Sequence, residues 1–112
     1  MREFVALLRE QPQIPLLLNS LRGAGLSTSG QTGTTHLYDT TNRLLVTIAK
    51  PLRIDVPGEV ERLLGTTVPL PIWWVELRAA AGLLPAAPLA HQCAEELVSH
   101  HGGLVWTNTR TS

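Results

Sequence analysis

Apolar residues alternate in some stretches of the chain and recur at helical spacing in others, and these two periods mark out its elements. Glu3 to Arg9, EFVALLR, is apolar in the middle and charged at both ends, which predicts a first strand; its Leu, Ala and Arg content also suits a helix. After Gln11-Pro12-Gln13, the segment IPLLLNSLRGAG carries Pro15 where a first helical turn tolerates it. Leu17, Leu18 and Leu21 share a face there, and Gly23 or Gly25 supplies a stop, so a short helix is expected. Ser27 to Thr34, STSGQTGT, has no apolar period and reads as an exposed loop.

THLYD and RLLVTIAK, joined by the turn-forming DTTN, predict a β-hairpin with Leu44, Val46 and Ile48 on its core side. Pro57 opens a brief helix, GEVERLLG, that groups Val60, Leu63 and Leu64 and ends at Gly65. PIWWVELRAA then alternates as a strand. From Leu89, the residues Leu89, Ala90, Cys93, Ala94, Leu97 and Val98 form the stripe of a helix lying on a sheet, started by Pro88 and finished by His100, His101 and Gly102-Gly103. LVWT gives a last strand before a polar tail, 107–112.

The resulting order, β-α-β-β-(short α)-β-α-β, predicts a single α+β domain over residues 1–112. Two strand-helix-strand units in so short a chain point to a two-layer sandwich, a ferredoxin-like variant with helices on one face of the sheet.

The paired tryptophans raise a question of direction. Successive strand residues point to opposite faces, so Trp73, Val75, Leu77 and Ala79 make an apolar face, whereas Ile72, Trp74, Glu76, Arg78 and Ala80 make a mixed one. Trp73 is then the core residue. Trp74 belongs to the face the helices leave open, beside a carboxylate and a guanidinium, which is the composition of an interface anchor. The plainer alternative covers Trp74 with the 27–34 loop or the tail and leaves Glu76 and Arg78 paired locally. His36 and Tyr38 alternate in the hairpin and share a face, in one reading this same open one.

Composition narrows the partners. At 112 residues, 44% of them hydrophobic, the chain is long enough for a core of its own, and with 16% charged residues it is poor in the charges that keep small monomers apart. Nine basic and nine acidic residues balance to zero net charge without a Lys/Arg cluster, which argues against nucleic acid and anionic membrane. MREFVALLRE is too charged for a signal peptide, and the uncharged run Leu63 to Val75 is 13 residues with two prolines, short of the roughly 20 a membrane span needs. No membrane insertion and a cytoplasmic location are expected. Cys93 is the single cysteine, which excludes an internal disulfide and a Cys-rich zinc site.

Little else invites chemistry. His91 and Glu95, four apart, suit a surface ion pair better than a metal site, since a third ligand is not in view. His100 and His101 face different ways and read as a helix end. GAGLSTSG has the glycines of a phosphate loop but neither its lysine nor a following helix. Cys93 falls on a buried stripe and behaves as a small apolar group. No catalytic residue, cofactor or metal is assigned.

Taken together, EFVALLRE-QPQIPLLLNSLRGAG, YDTTNRLLVTIAKPLRIDVPGEVERLLG, PIWWVELRA and AHQCAEELVSHHGGLVW resemble a group of small actinobacterial proteins associated with type VII secretion gene clusters. The likeness spans nearly the whole chain, and VPGEVERLLG and WWVELRA are its most distinctive parts. It implies a strand at Glu3 to Arg9 and a cytoplasmic accessory or adaptor role beside a secretion apparatus; it carries over no ligand or catalytic residue. Three functions follow as expectations. The first is a non-enzymatic module that binds a protein partner, or itself, through Trp74, Glu76 and Arg78. The second is a small-molecule binder or small enzyme with a pocket lined by His36, Tyr38, Glu76 and Arg78 against the 27–34 loop. The third is a subunit of a larger complex.

Overall fold

The alternating apolar runs lie side by side in one antiparallel sheet. The computed structural model describes residues 2–21, 27–31 and 33–107. The expected helix stop at Gly23 or Gly25 and the tail beyond Thr107 lie outside these residues. Along the chain come β1 (Arg2–Leu8), α1 (Ile14–Ser20), β2 (Ser27–Gln31), β3 (Thr34–Tyr38), β4 (Leu44–Ile48), β5 (Leu52–Ile54), α2 (Glu59–Leu64), β6 (Ile72–Ala79), α3 (Ala86–His101) and β7 (Gly103–Thr107). Across the sheet the order is β2-β3-β4-β6-β1-β7, with β5 beside β6.

β1 occupies one edge of β6 from Trp73 to Ala79, so β4 and β5 share the other edge. Ile48 sits opposite Leu77 and Leu52 opposite Trp74, four positions on one side against three on the other. The slip falls at the Lys50-Pro51 link, where Pro51 has no N–H to offer a ladder.

β1 is buried on both of its faces, which accounts for its unbroken FVALL run. On one side Phe4, Ala6 and Leu8 join Val75, Leu77 and Ala79 of β6 under Leu17 of α1, Leu21 just beyond it, and Ala90, Cys93, Ala94 and Leu97 of α3. On the other side Val5, Leu7 and Ile72 pack with Val60 of α2, flanked by the partly buried Leu64, Val68, Leu70, Trp74 and Trp106.

Several expectations give way here. The helices do not all lie on one face of the sheet: α2 covers part of the opposite side, because Val60 and Leu64 need an apolar surface and Val5, Leu7 and Ile72 supply it. The first five residues of STSGQTGT are not loop. Ser27–Gln31 is an edge strand paired with β3, and an edge strand with Thr28, Ser29 and Gly30 exposed has no buried face to impress an apolar period on the sequence. Among the described residues the sheet has seven strands where five were expected, each pairing is antiparallel, and this arrangement does not establish a ferredoxin-like order.

The core side of β4 also shifts. The register changes between Leu37 and Tyr38, so that Leu37 opposes Val46 but Tyr38 opposes Leu44. Leu45 is the extra residue, and it turns inward, 2% exposed, while Leu44 is left 38% exposed. α3 starts at Ala86, two residues before the Pro88 expected to open it, with Pro88 in the first turn.

Candidate functional site

The side of the sheet away from α1 and α3 is where the sequence places its candidates, and the pairing registers assemble it residue by residue. One row crosses five strands: Ser29 opposes His36, His36 opposes Thr47, and Thr47 and Glu3 flank Arg78 from either side. Arg78 Nε lies 3.5 Å from Glu3 Oε1 and its Nη2 lies 3.9 Å from Glu76 Oε1. The guanidinium is thus held between two half-exposed carboxylates. His36 and Tyr38 have ring centroids 6.4 Å apart, and the Ser29 hydroxyl donates to the Tyr38 oxygen at 3.4 Å.

All five sequence candidates, Trp74, Glu76, Arg78, His36 and Tyr38, therefore fall on one face, but not in one cluster. His36 is separated from Arg78 by the width of β4, about 10 Å at ordinary strand spacing. Its recorded neighbour is Tyr38, whereas those of Arg78 are the two glutamates.

The other half of the face is apolar. Trp74 opposes Leu7 on one side and Leu52 on the other, Leu7 opposes Leu104, and Val5 opposes Trp106. Leu7 and Val5 are buried beneath α2 and the two half-buried indoles. At the flanks Leu52 is 56% exposed and Leu104 38% exposed. Leu52 and Trp74 on one side and Leu104 and Trp106 on the other thus make up an apolar strip that frames the buried Leu7 and Val5, with Glu76, Arg78 and Glu3 further along the same face. Trp74 is half-buried rather than fully open, and the tail that the alternative lays over it is outside the described residues. The indole forms the margin of the small cluster that docks α2.

Four of these residues escaped sequence reading. Leu104 and Trp106 sit in a five-residue strand too short for a clear period, and Leu52 lies in a three-residue strand. Glu3 gains meaning only from the β1–β6 register. The charge balance at the ends of EFVALLR was the one available signal, and it does not specify a partner.

Among the described residues, grooves also lie elsewhere. One of about 550 Å³ runs between α1 and the β2–β3 turn, one of about 410 Å³ lies beside the stacked rings of Phe4 and His91 (centroids 5.5 Å apart), and one of about 200 Å³ lies under α2. None of the three is lined by His36, Tyr38, Glu76 or Arg78. His91 Nε2 is 3.1 Å from Glu95, the expected surface pair. Burial, reinforced by the nearby Glu96 carboxylate, pushes the Cys93 thiol up to about 12, which keeps it protonated and unreactive at neutral pH. Among the described residues no group of three His, Cys, Asp or Glu side chains is placed to hold a metal ion, and no helix is long and apolar enough to cross a membrane.

The described residues thus form an α+β fold built on an open sheet of seven strands, antiparallel in each pairing, with three helices. Compared with known proteins, the chain matches no family model, no characterised protein and no solved structure.

Proposed function

We infer that this chain is a non-enzymatic protein-interaction module that binds through the strip formed by Leu52, Trp74, Trp106 and Leu104. The supporting observation is the coincidence on one face of two half-buried indoles, two exposed leucines and, further along, charges of both signs. Exposed apolar patches mark interaction sites, and Trp at the centre of such a patch is a frequent hot spot worth about 2 kcal/mol or more. The charged group of Glu3, Glu76 and Arg78 is also self-complementary, as a two-fold contact between copies requires. The resemblance of the sequence to small actinobacterial proteins supports a cytoplasmic accessory role beside a type VII secretion apparatus.

The test uses Leu52→Asp and Leu104→Asp, which change exposed positions and spare the core, alongside Trp74→Ala. Sedimentation at several concentrations should show association that the Asp variants abolish while their melting temperature at high dilution stays within a few degrees of the parent. If the parent stays monomeric, a client captured from the native host should be lost with the same variants. Neither effect occurring would end this reading.

A further inference from the structure

The groove of about 550 Å³ on the helix side of the sheet belongs to none of this. Its apolar lining includes Ile14, Pro15 and Leu18 from the start of α1, Pro51 from the β4–β5 link and the half-buried Trp73 of β6. Its size and its mostly apolar wall with a few polar groups are those of small-molecule sites.

Among the described residues that line it, one is charged. Lys50 is the single lysine of the chain, and no acidic residue lines the groove. Among the described residues, which include all nine carboxylate side chains, none is within ion-pair distance of the Lys50 ammonium. The remaining polar lining, Gln13 and Thr34 among it, is neutral and capable of hydrogen bonding. The turn residue Gly33, at φ +86°, lies beside the stem of this exposed lysine: a Cβ there would come within 2.9 Å of Lys50 Cγ.

We propose that this groove binds a small amphiphilic organic anion, with a flat apolar body against Trp73 and the prolines and a carboxylate paired with Lys50. An unpaired cation beside a desolvating apolar wall selects the charged head, and the indole face selects a flat body.

The experiment titrates the full chain with 2-naphthoate and, separately, with the neutral 2-naphthylmethanol, following the Trp73 indole N–H resonance assigned through Trp73→Phe. Naphthoate should shift that resonance saturably, and the alcohol should bind roughly tenfold more weakly or worse, the worth of one charge-assisted hydrogen bond. Lys50→Gln should erase the difference between the two ligands and Lys50→Arg should keep it. Leu52→Asp, on the opposite face, should leave naphthoate binding unchanged, which separates this site from the protein-binding strip. Equal binding of acid and alcohol, a response confined to Trp74 or Trp106, or no saturable response to naphthoate would each overturn the proposal.

Discussion

His101 ends α3 with its imidazole 6% exposed, and its Nε2 accepts a hydrogen bond from the Gln13 N–H at 3.1 Å. Burial lowers its pKa from the ordinary 6.5, the neighbouring His100 lowers it further, and Glu10 raises it in part. The folded chain therefore binds this proton less readily than the unfolded one. The sign follows: the contribution to stability is complete above pH 6.5 and is lost as pH falls from there towards the lower folded value. Urea midpoints measured between about pH 7 and pH 5 should fall with acidification. In His101→Gln, which keeps an acceptor but does not titrate, the fall should be shallower; an equal slope would assign it to other groups. Parity served the sequence well at this scale, since Trp73 and Trp74 do point to opposite faces and Cys93 is buried. His100 and His101 also diverge, the first exposed near Glu96 and the second enclosed. What parity does not tell is how far each face is covered, and so Trp74 was expected on an open surface that α2 in fact borders.

At the scale of elements, the well-punctuated ones were legible. Asp39 anchors the turn of the β3–β4 hairpin by accepting from the backbone N–H groups of Arg43 and Thr41, each at 2.9 Å, and from the Arg43 guanidinium. Chiefly through the Arg43 N–H, these bonds hold its carboxyl down to about 2, so acid undoes the turn only as pH falls from 3.8 towards that value. β2 and β5 were illegible for the opposite reason: a polar edge strand and a three-residue strand after a proline carry no period. α2 was seen as a helix, but its six residues do not announce which face of the sheet they cover. Val60, 3% exposed, is the peg that fixes it there. Val60→Ala removes two methyl groups' worth of burial, about 2 kcal/mol with its cavity. Because Trp74 lies in the same cluster, its emission should move to the red in that variant before global unfolding. An unshifted spectrum would mean that α2 does not shield the indole.

At the scale of the whole molecule, the topology joins the two ends of the described chain. β1, almost the first residues, lies inside the sheet between β6 and β7, almost the last, and both pair with it antiparallel. The sheet is therefore complete only when α3 has crossed over and delivered β7 to the outer edge of β1. That closure passes through Gly103, which opposes Leu8 at φ +132°, in a place where a Cβ would lie 1.8 Å from the Leu7 carbonyl oxygen. Leu7 belongs to a strand hydrogen-bonded on both sides, so its backbone has little room to yield. Gly103→Ala should cost roughly 3 kcal/mol or more by combining backbone strain with this clash. Gly82→Ala separates the two causes: Gly82 also has positive φ, at +77°, but nothing lies within 4 Å of its Cβ position, so strain alone should cost roughly 1 kcal/mol there. Chemical denaturation of the two variants should differ by that margin. The Gly103 variant should also lose association through the Trp74 strip, since Leu104 and Trp106 ride on β7 and reach that face only when it is seated. Equal stability of the two variants would show that β7 is not pressed onto β1, and the strip would then lose half of its members.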